Sequence, residues 1–182
     1  MKNIVPLTLL INLFIISNCS IGQGNLYSAS EFYPNNSIYI ELAGNSLFFA
    51  SLNYERIFHK EDNLFLSVRG GIGYGKFLNV SVLSLPILVN GIFHIHRAFS
   101  FELGLGTTLM NVGYQKDEDY PYGYHFGGTF TGVAGIRIQS SKGFLFRASF
   151  TPILDVNNLL SPDSKLKSRL LPWFGISFGD SF

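Results

Sequence analysis

The chain has 182 residues, with 13 Lys and Arg against 12 Asp and Glu, so its net charge of +1 draws it neither to nucleic acid nor to an anionic lipid surface. Only 14% of its residues are charged and 47% are hydrophobic, with 18 Phe, 19 Gly and 9 Tyr, where an ordinary soluble domain carries about a quarter charged residues. One cysteine, Cys19, excludes an internal disulfide.

Lys2 precedes an almost wholly apolar run, residues 4–16, and small or polar residues fill 17–24. That is the layout of a secretory signal peptide, too short and wrongly flanked for a spanning helix. Ser20-Ile21-Gly22 fits the small-x-small cleavage pattern, which divides the chain into a signal peptide (1–22), a polar leader (23–36) and a barrel domain (37–182). Cys19 leaves with the signal. A lipoprotein with Cys19 acylated is the competing reading, opposed by Asn18 just before the cleavage point. Beyond the signal no apolar run approaches the roughly 18 residues of a membrane helix.

From residue 37 the hydrophobicity instead alternates with period two, in segments bounded by Gly, Asn, Asp or Lys clusters, the pattern of strands with one apolar face. The first predicted strand, 37–43, sets Ile38, Ile40 and Leu42 against Tyr39 and Glu41. The second, 47–57, opposes Ala50, Leu52 and Tyr54 to Ser51, Asn53 and Glu55, and the third, 64–75, opposes Leu66, Val68 and Ile72 to Ser67, Arg69 and Gly71. In the fourth, 82–94, Leu83, Leu85, Ile87 and Val89 face away from Ser84, Pro86, Asn90 and His94. The fifth, 99–110, is the cleanest: Phe99, Phe101, Leu103 and Leu105 against Ser100, Glu102, Gly104 and Gly106. The sixth, 125–139, separates Phe126, Phe130 and Ile136 from Thr129, Thr131 and Arg137, and the seventh, 143–153, separates Phe144, Phe146 and Phe150 from Arg147, Ser149 and Thr151.

The closing strand, 170–182, carries Trp173 and then Phe174, Ile176, Phe178 and Phe182 opposite Gly175, Ser177, Gly179 and Ser181. A chain that finishes on its most apolar strand needs a partner for that edge, and pairing with the first strand removes the edge. The fold class is therefore all-β, a closed antiparallel eight-stranded transmembrane barrel. A soluble lipocalin-like barrel would turn the Phe-rich parity inward and leave too few charges for its surface. Short connections at 58–63, 95–98 and 140–142 alternate with longer ones at 76–81, 111–124 and 154–168, the asymmetry of periplasmic turns and outer loops, which puts both mature termini in the periplasm. The first outer connection, 44–46, is short for this scheme, and Pro86, Pro152 and Pro172 are expected near the outer rim.

The stretches SIYIELAGNSLFFASLNYERIF (37–58), FELGLGTT (101–108), GFLFRASFTP (143–152) and LPWFGISFGDSF (171–182) resemble the small outer-membrane β-barrel proteins of Bacteroidetes-type bacteria, a family without an assigned activity. The resemblance implies a cell outer membrane location in a Gram-negative envelope. It also implies contact with outer-membrane lipid and lipopolysaccharide, and engagement of the barrel-assembly machinery through the C-terminal strand. Asp180 departs from it, standing where an aromatic or basic residue is more typical.

Six charges fall on the small-residue parity: Glu41, Glu55, Arg69, Glu102, Arg137 and Arg147, three of each sign. An eight-stranded barrel is only wide enough inside for side chains, so these are expected to meet as a self-neutralising ion-pair plug. A balanced set of charges offers no selectivity ring for a narrow channel. His94 and His96 have workable ligand spacing but no third partner, so no metal and no cofactor are expected. No histidine stands in the His-x-Ser pair that lipid A deacylases carry. Ser100 with His96 and Glu102 forms a triad only on paper, since Ser100 and Glu102 share a face by ordinary alternation. Asp117, Glu118, Asp119, Tyr120, Tyr122 and Tyr124 form an acidic, tyrosine-rich outer loop fit to hold a cation, a sugar or a partner protein, or to anchor at the headgroup level. The expected function is structural or surface-interacting without catalysis, as a monomer that binds no nucleic acid. A lipid-modifying enzyme, a narrow channel and a carrier of small hydrophobic ligands are the alternatives.

Overall fold

The computed structural model describes residues 33–47, 49–61, 63–77, 79–96, 98–114, 123–155 and 169–182. The signal peptide, Cys19 and all of the leader before Tyr33 lie outside the described residues, as do Asp117, Glu118, Asp119, Tyr120 and Tyr122 of the acidic loop.

Among the described residues ten strand segments form one closed sheet: β1 (Asn36–Ala43), β2 (Ala50–Glu61), β3 (Leu64–Phe77), β4 (Val80–His96), β5 (Phe99–Tyr114), β6 (Gly123–Gln139), β7 (Phe144–Phe150), β8 (Ile153–Asp155), β9 (Arg169–Leu171) and β10 (Phe174–Ser181). Each pairs antiparallel with its neighbours, and β10 pairs with both β7 and β1, which closes an eight-strand ring. Seven register pairs run from Ser37↔Ser181 to Ala43↔Gly175. The seam is finished by Asn36 and Phe182, whose backbones exchange N–H···O bonds of 3.0 and 2.8 Å. The end of the barrel that holds Asn36 and Phe182 is the terminal end below; the other is the distal end.

Two prolines split the last pair of strands. Proline has no N–H to give a ladder, so β7 ends before Pro152 and β8 moves on to pair with β6 and with β9, while Pro172 separates β9 from β10. Pro86 lies well inside β4 rather than near a rim. It interrupts the β3–β4 ladder between Ile87 and Ser84, while pairing with β5 continues at Pro86↔Thr108. The connection expected at 76–81 shrinks to 78–79, because the alternation of β3 and β4 runs on to Phe77 and Val80. The strand expected from Leu47 begins at Ala50, after a 3-10 turn over Gly44–Ser46. At the terminal end the turn from Ser140 to Gly143 needs glycine, since Gly143 has φ 108° and a Cβ there would lie 2.2 Å from Asp180 Oδ1.

The parity sorts the two faces. Ile40, Leu52, Val68, Ile87, Leu105, Phe130, Phe144, Phe174, Ile176 and Phe178 point outward and are exposed, whereas the small and polar parity is buried in the lumen. A continuous exposed apolar wall of this kind is stable in hydrocarbon and not in water.

Candidate functional site

The lumen is layered. At the terminal end Tyr33, Ile57, Phe65 and Ile92 form an apolar cluster. At the distal end Leu47, Val82, Met110, Val112 and Ile153 form another, against which Phe49, Leu171 and Trp173 pack. Between them stand the six charged side chains expected to face inward, every one of them buried.

Their pairing does not follow strand adjacency. Arg69 Nη2 donates to Glu41 Oε2 at 2.5 Å, and Arg69 Nε to Asn53 Oδ1 at 3.3 Å. Glu55 lies directly opposite Arg69 across the β2–β3 ladder, yet its Oε2 accepts from Arg137 Nη1 of β6 at 2.5 Å, which makes a strut across the barrel. Glu55 Oε1 accepts from Ser67 at 2.6 Å and Asn90 at 3.1 Å. Arg137 and Arg147 are cross-strand partners on β6 and β7, an arrangement that repels on its own. Glu102 offsets it by accepting from Arg147 Nη2 with Oε1 while holding Oε2 3.8 Å from Arg137 Nη1. Arg137 is locked further by Nε donating to Gln139 Oε1 at 2.8 Å and Nη2 to Ser37 Oγ at 3.3 Å.

Tyr39 joins the two halves of the network. Its hydroxyl accepts from Arg147 Nη1, and its ring centroid lies 4.9 Å from Arg147 Cζ and 5.6 Å from Arg69 Cζ. A buried tyrosine ring between two guanidinium groups offers each a cation–π contact. Alternation alone put Tyr39 inward; the two arginines beside it arrive from β3 and β7, far away in sequence. The network leaves some groups unmatched. Glu41 Oε1, Arg69 Nη1, Glu102 Oε2, Arg147 Nε and Asn90 Oδ1 are buried without a hydrogen-bond partner among the described residues.

At the terminal mouth the structure corrects the paper triad. Bulges at Ile57/His59 and His94/His96 shift the register, so His94 and His96 do not share a face. His96 is exposed; His94 turns toward Ser100, with Nδ1 3.4 Å from Oγ. Glu102 is committed to Arg147, and the close partner of Ser100 is the Tyr33 hydroxyl at 2.8 Å. The Tyr33 ring meets Phe65 and His94 edge-on, with centroids 5.4 and 5.1 Å apart. Burial pushes the Tyr33 phenol above its ordinary value, against the opposing effects of the Ser100 hydrogen bond and the Arg137 charge. Among the described residues no group of three His, Cys, Asp or Glu side chains is placed to hold a metal.

At the distal mouth the turn between β1 and β2 folds inward. Asn45 and Ser46 are fully buried; Thr131 Oγ1 donates to Asn45 Oδ1 at 2.6 Å and Ser84 Oγ to Ser46 Oγ at 2.9 Å. Trp173, expected as part of the closing strand, sits in the break between β9 and β10 and donates Nε1 to Leu47 O at 2.9 Å. Tyr124, the described member of the acidic loop, is exposed near the start of β6. The shortness of the 44–46 connection was the only sign in the sequence that this turn is a stopper.

No family model matches the chain, and no curated protein matches it. Solved outer-membrane barrels are similar to it in fold, among them the following. The attachment invasion locus protein Ail of Yersinia pestis matches with a TM-score of 0.53 at 13% identity, over 82% of this chain and 99% of Ail. The same protein in complex with the heparin analogue sucrose octasulfate gives 0.51 at 12% identity, over 82% of this chain and 97% of that one. The N-terminal β-barrel domain of Pseudomonas aeruginosa OprF gives 0.52 at 11% identity, over 81% of this chain and 96% of the OprF domain. The chain has the fold of these small barrels.

Proposed function

We propose that this chain is an outer-membrane barrel with a structural or surface-interaction role and no catalysis, its lumen shut by its own ion pairs. The observation that carries the reading is the six-charge belt, in which each arginine engages a carboxylate and apolar layers cover both ends. A wall of exposed Phe, Leu and Ile around that belt suits hydrocarbon, and the fold shared with Ail and OprF supports the outer membrane as its location. Both mature termini then lie in the periplasm after signal cleavage, and the distal end of the barrel, toward which the longer connections expected at 111–124 and 154–168 run, faces outward. Lipid and lipopolysaccharide surround the wall, the C-terminal strand is what the assembly machinery reads, and the barrel is a monomer.

Any surface partner is met by the outward connections. Ail has been crystallised with a sulfated heparin analogue. Here the run Asp117, Glu118, Asp119 is acidic, which favours a cation, a sugar or a basic protein surface over a sulfated polymer.

Mass spectrometry of lipid A from cells with and without the gene tests the non-catalytic reading. Identical acyl patterns are expected. A pattern that changes with the gene and reverts in Ser100→Ala would make the protein a lipid-modifying enzyme. Planar-bilayer recording tests the shut lumen, with no steady single-channel current expected from the unmutated protein.

A further inference from the structure

The turn that fills the distal mouth is held in place against two opposing forces. Gly44, Asn45, Ser46 and Leu47 are all buried there, fixed by donors from three separate strands or breaks: Thr131 on β6, Ser84 on β4 and Trp173 between β9 and β10. Against them stands the backbone. Ala43 and Leu47 have φ of 62° and 60° with ψ of −130° and −125°, a region that a Cβ disfavours and that is found where segments move or are held under constraint. The second opposing force is electrostatic. The turn rests on Glu41, so closely that a Cβ on Gly44 would lie 2.7 Å from Glu41 Cδ and 2.8 Å from Oε1. That same Oε1 has no hydrogen-bond partner among the described residues. A carboxylate oxygen buried without a donor raises the free energy of the closed arrangement, and entry of water relieves it.

The two strained residues bracket Gly44, Asn45 and Ser46, which is where a hinge absorbs a change of backbone angles. We propose that residues 44–46 form a hinged plug that swings out of the distal mouth about Ala43 and Leu47, and so opens the lumen down to the Glu41–Arg69 pair. The cluster of Tyr33, Ile57, Phe65 and Ile92 keeps the other end closed, so the open form is a blind pocket with a polar floor, rimmed by the remaining distal side chains Val82, Met110, Val112 and Ile153, and not a pore. Small residues line the space the plug vacates: Gly73 would place a Cβ 2.5 Å from Ser46 Oγ, and Gly175 one 2.8 Å from Gly44 Cα. No larger side chain is present at those positions to refill the mouth.

Hydrogen exchange on the full barrel in lipid nanodiscs tests this. Asn45 and Ser46 amides are expected to exchange faster than those of Tyr39 and Glu41 in the β1–β10 ladder, because the plug opens without unfolding the ring. The pair Ser84→Ala with Thr131→Val removes two of the three fixing hydrogen bonds and should speed exchange at Asn45 and Ser46 about 25-fold, roughly fivefold per bond, with the ladder unchanged. Ala43→Gly relieves the positive φ and should slow it about fivefold. Trp173 is the only tryptophan, so acrylamide quenching of its fluorescence should rise in the double variant. Exchange at Asn45 and Ser46 that matches the ladder in every variant would overturn the proposal. Should the double variant fail to fold, faster or unchanged exchange in Ala43→Gly would overturn it alone.

Discussion

Replacing Arg137 with Met removes the strut that crosses the barrel. The guanidinium serves Glu55 at 2.5 Å, lies 3.8 Å from Glu102, and donates to Gln139 and Ser37. Glu102 keeps Arg147 and Glu41 keeps Arg69, so the orphan is Glu55. Its Oε1 retains Ser67 and Asn90, while Oε2 loses its one hydrogen-bond donor among the described residues. Breaking a buried pair from one side costs about 3 to 5 kcal/mol, which for a chain of this size lowers the midpoint of thermal unfolding by about 6 to 20 °C. Heat-modifiable mobility in gels reads that midpoint directly, since the folded barrel migrates apart from the unfolded chain. Phe130→Leu is the control: the ring points outward and is 62% exposed, so lipid repacks around the smaller side chain and the cost stays below about 1.5 kcal/mol. Adding Glu55→Gln to Arg137→Met should restore at least about 1 kcal/mol, because a neutral amide tolerates the missing partner. A shift from Arg137→Met no larger than that from Phe130→Leu would refute the reasoning, and with it the idea that the lumen charges hold the barrel shut.

Tyr39→Phe keeps the ring between Arg69 and Arg147 but removes the hydroxyl that Arg147 donates to, and should cost about 1.5 to 3 kcal/mol in denaturant unfolding; Tyr39→Leu, which loses the cation–π contacts too, should cost more. Gly179→Ala would bring a Cβ to 2.1 Å from Ile38 O and 2.3 Å from Tyr39 Cβ across the closing seam, whereas Gly70→Ala meets nothing within 4 Å. The first should destabilise by about 1 to 3 kcal/mol and the second by less than about 0.5 kcal/mol, measured on the same gels. Ser100→Ala removes the hydrogen bond of 2.8 Å to the Tyr33 hydroxyl and should cost about 1 kcal/mol in the same unfolding assay.

The ring itself was legible because barrel strands obey one rule: the residue that faces lipid is apolar and the next is not. Eight alternating segments therefore gave eight positions in the ring, and parity put Glu41, Glu55, Arg69, Glu102, Arg137 and Arg147 inward, where they are buried. Partner choice was not legible. Glu55 crosses to Arg137 over 82 positions because closure of the ring brings β2 and β6 face to face, and no local spacing records that. Both apolar layers were hidden where inward residues are as greasy as outward ones, as with Val82 and Ile92 in β4 or Met110 and Val112 in β5. Bulges account for the histidines: one extra residue between His94 and His96 cancels the parity that had placed them together. In the sequence Trp173 falls within a strand because alternation runs on through Pro172, although the missing N–H of that proline ends pairing there.

The direct measurement is of which side chains touch lipid. With the mature chain refolded in nanodiscs, nuclear Overhauser effects from acyl-chain methylene protons should reach the outward rings and methyl groups of Phe130, Phe146, Ile176 and Phe178, and should be absent at Tyr39, Arg69, Arg137 and Arg147. Lipid contacts at the arginines and at Tyr39, or a mature protein that stays in the aqueous fraction with no lipid contacts at all, would contradict the membrane barrel and its sealed, charged interior.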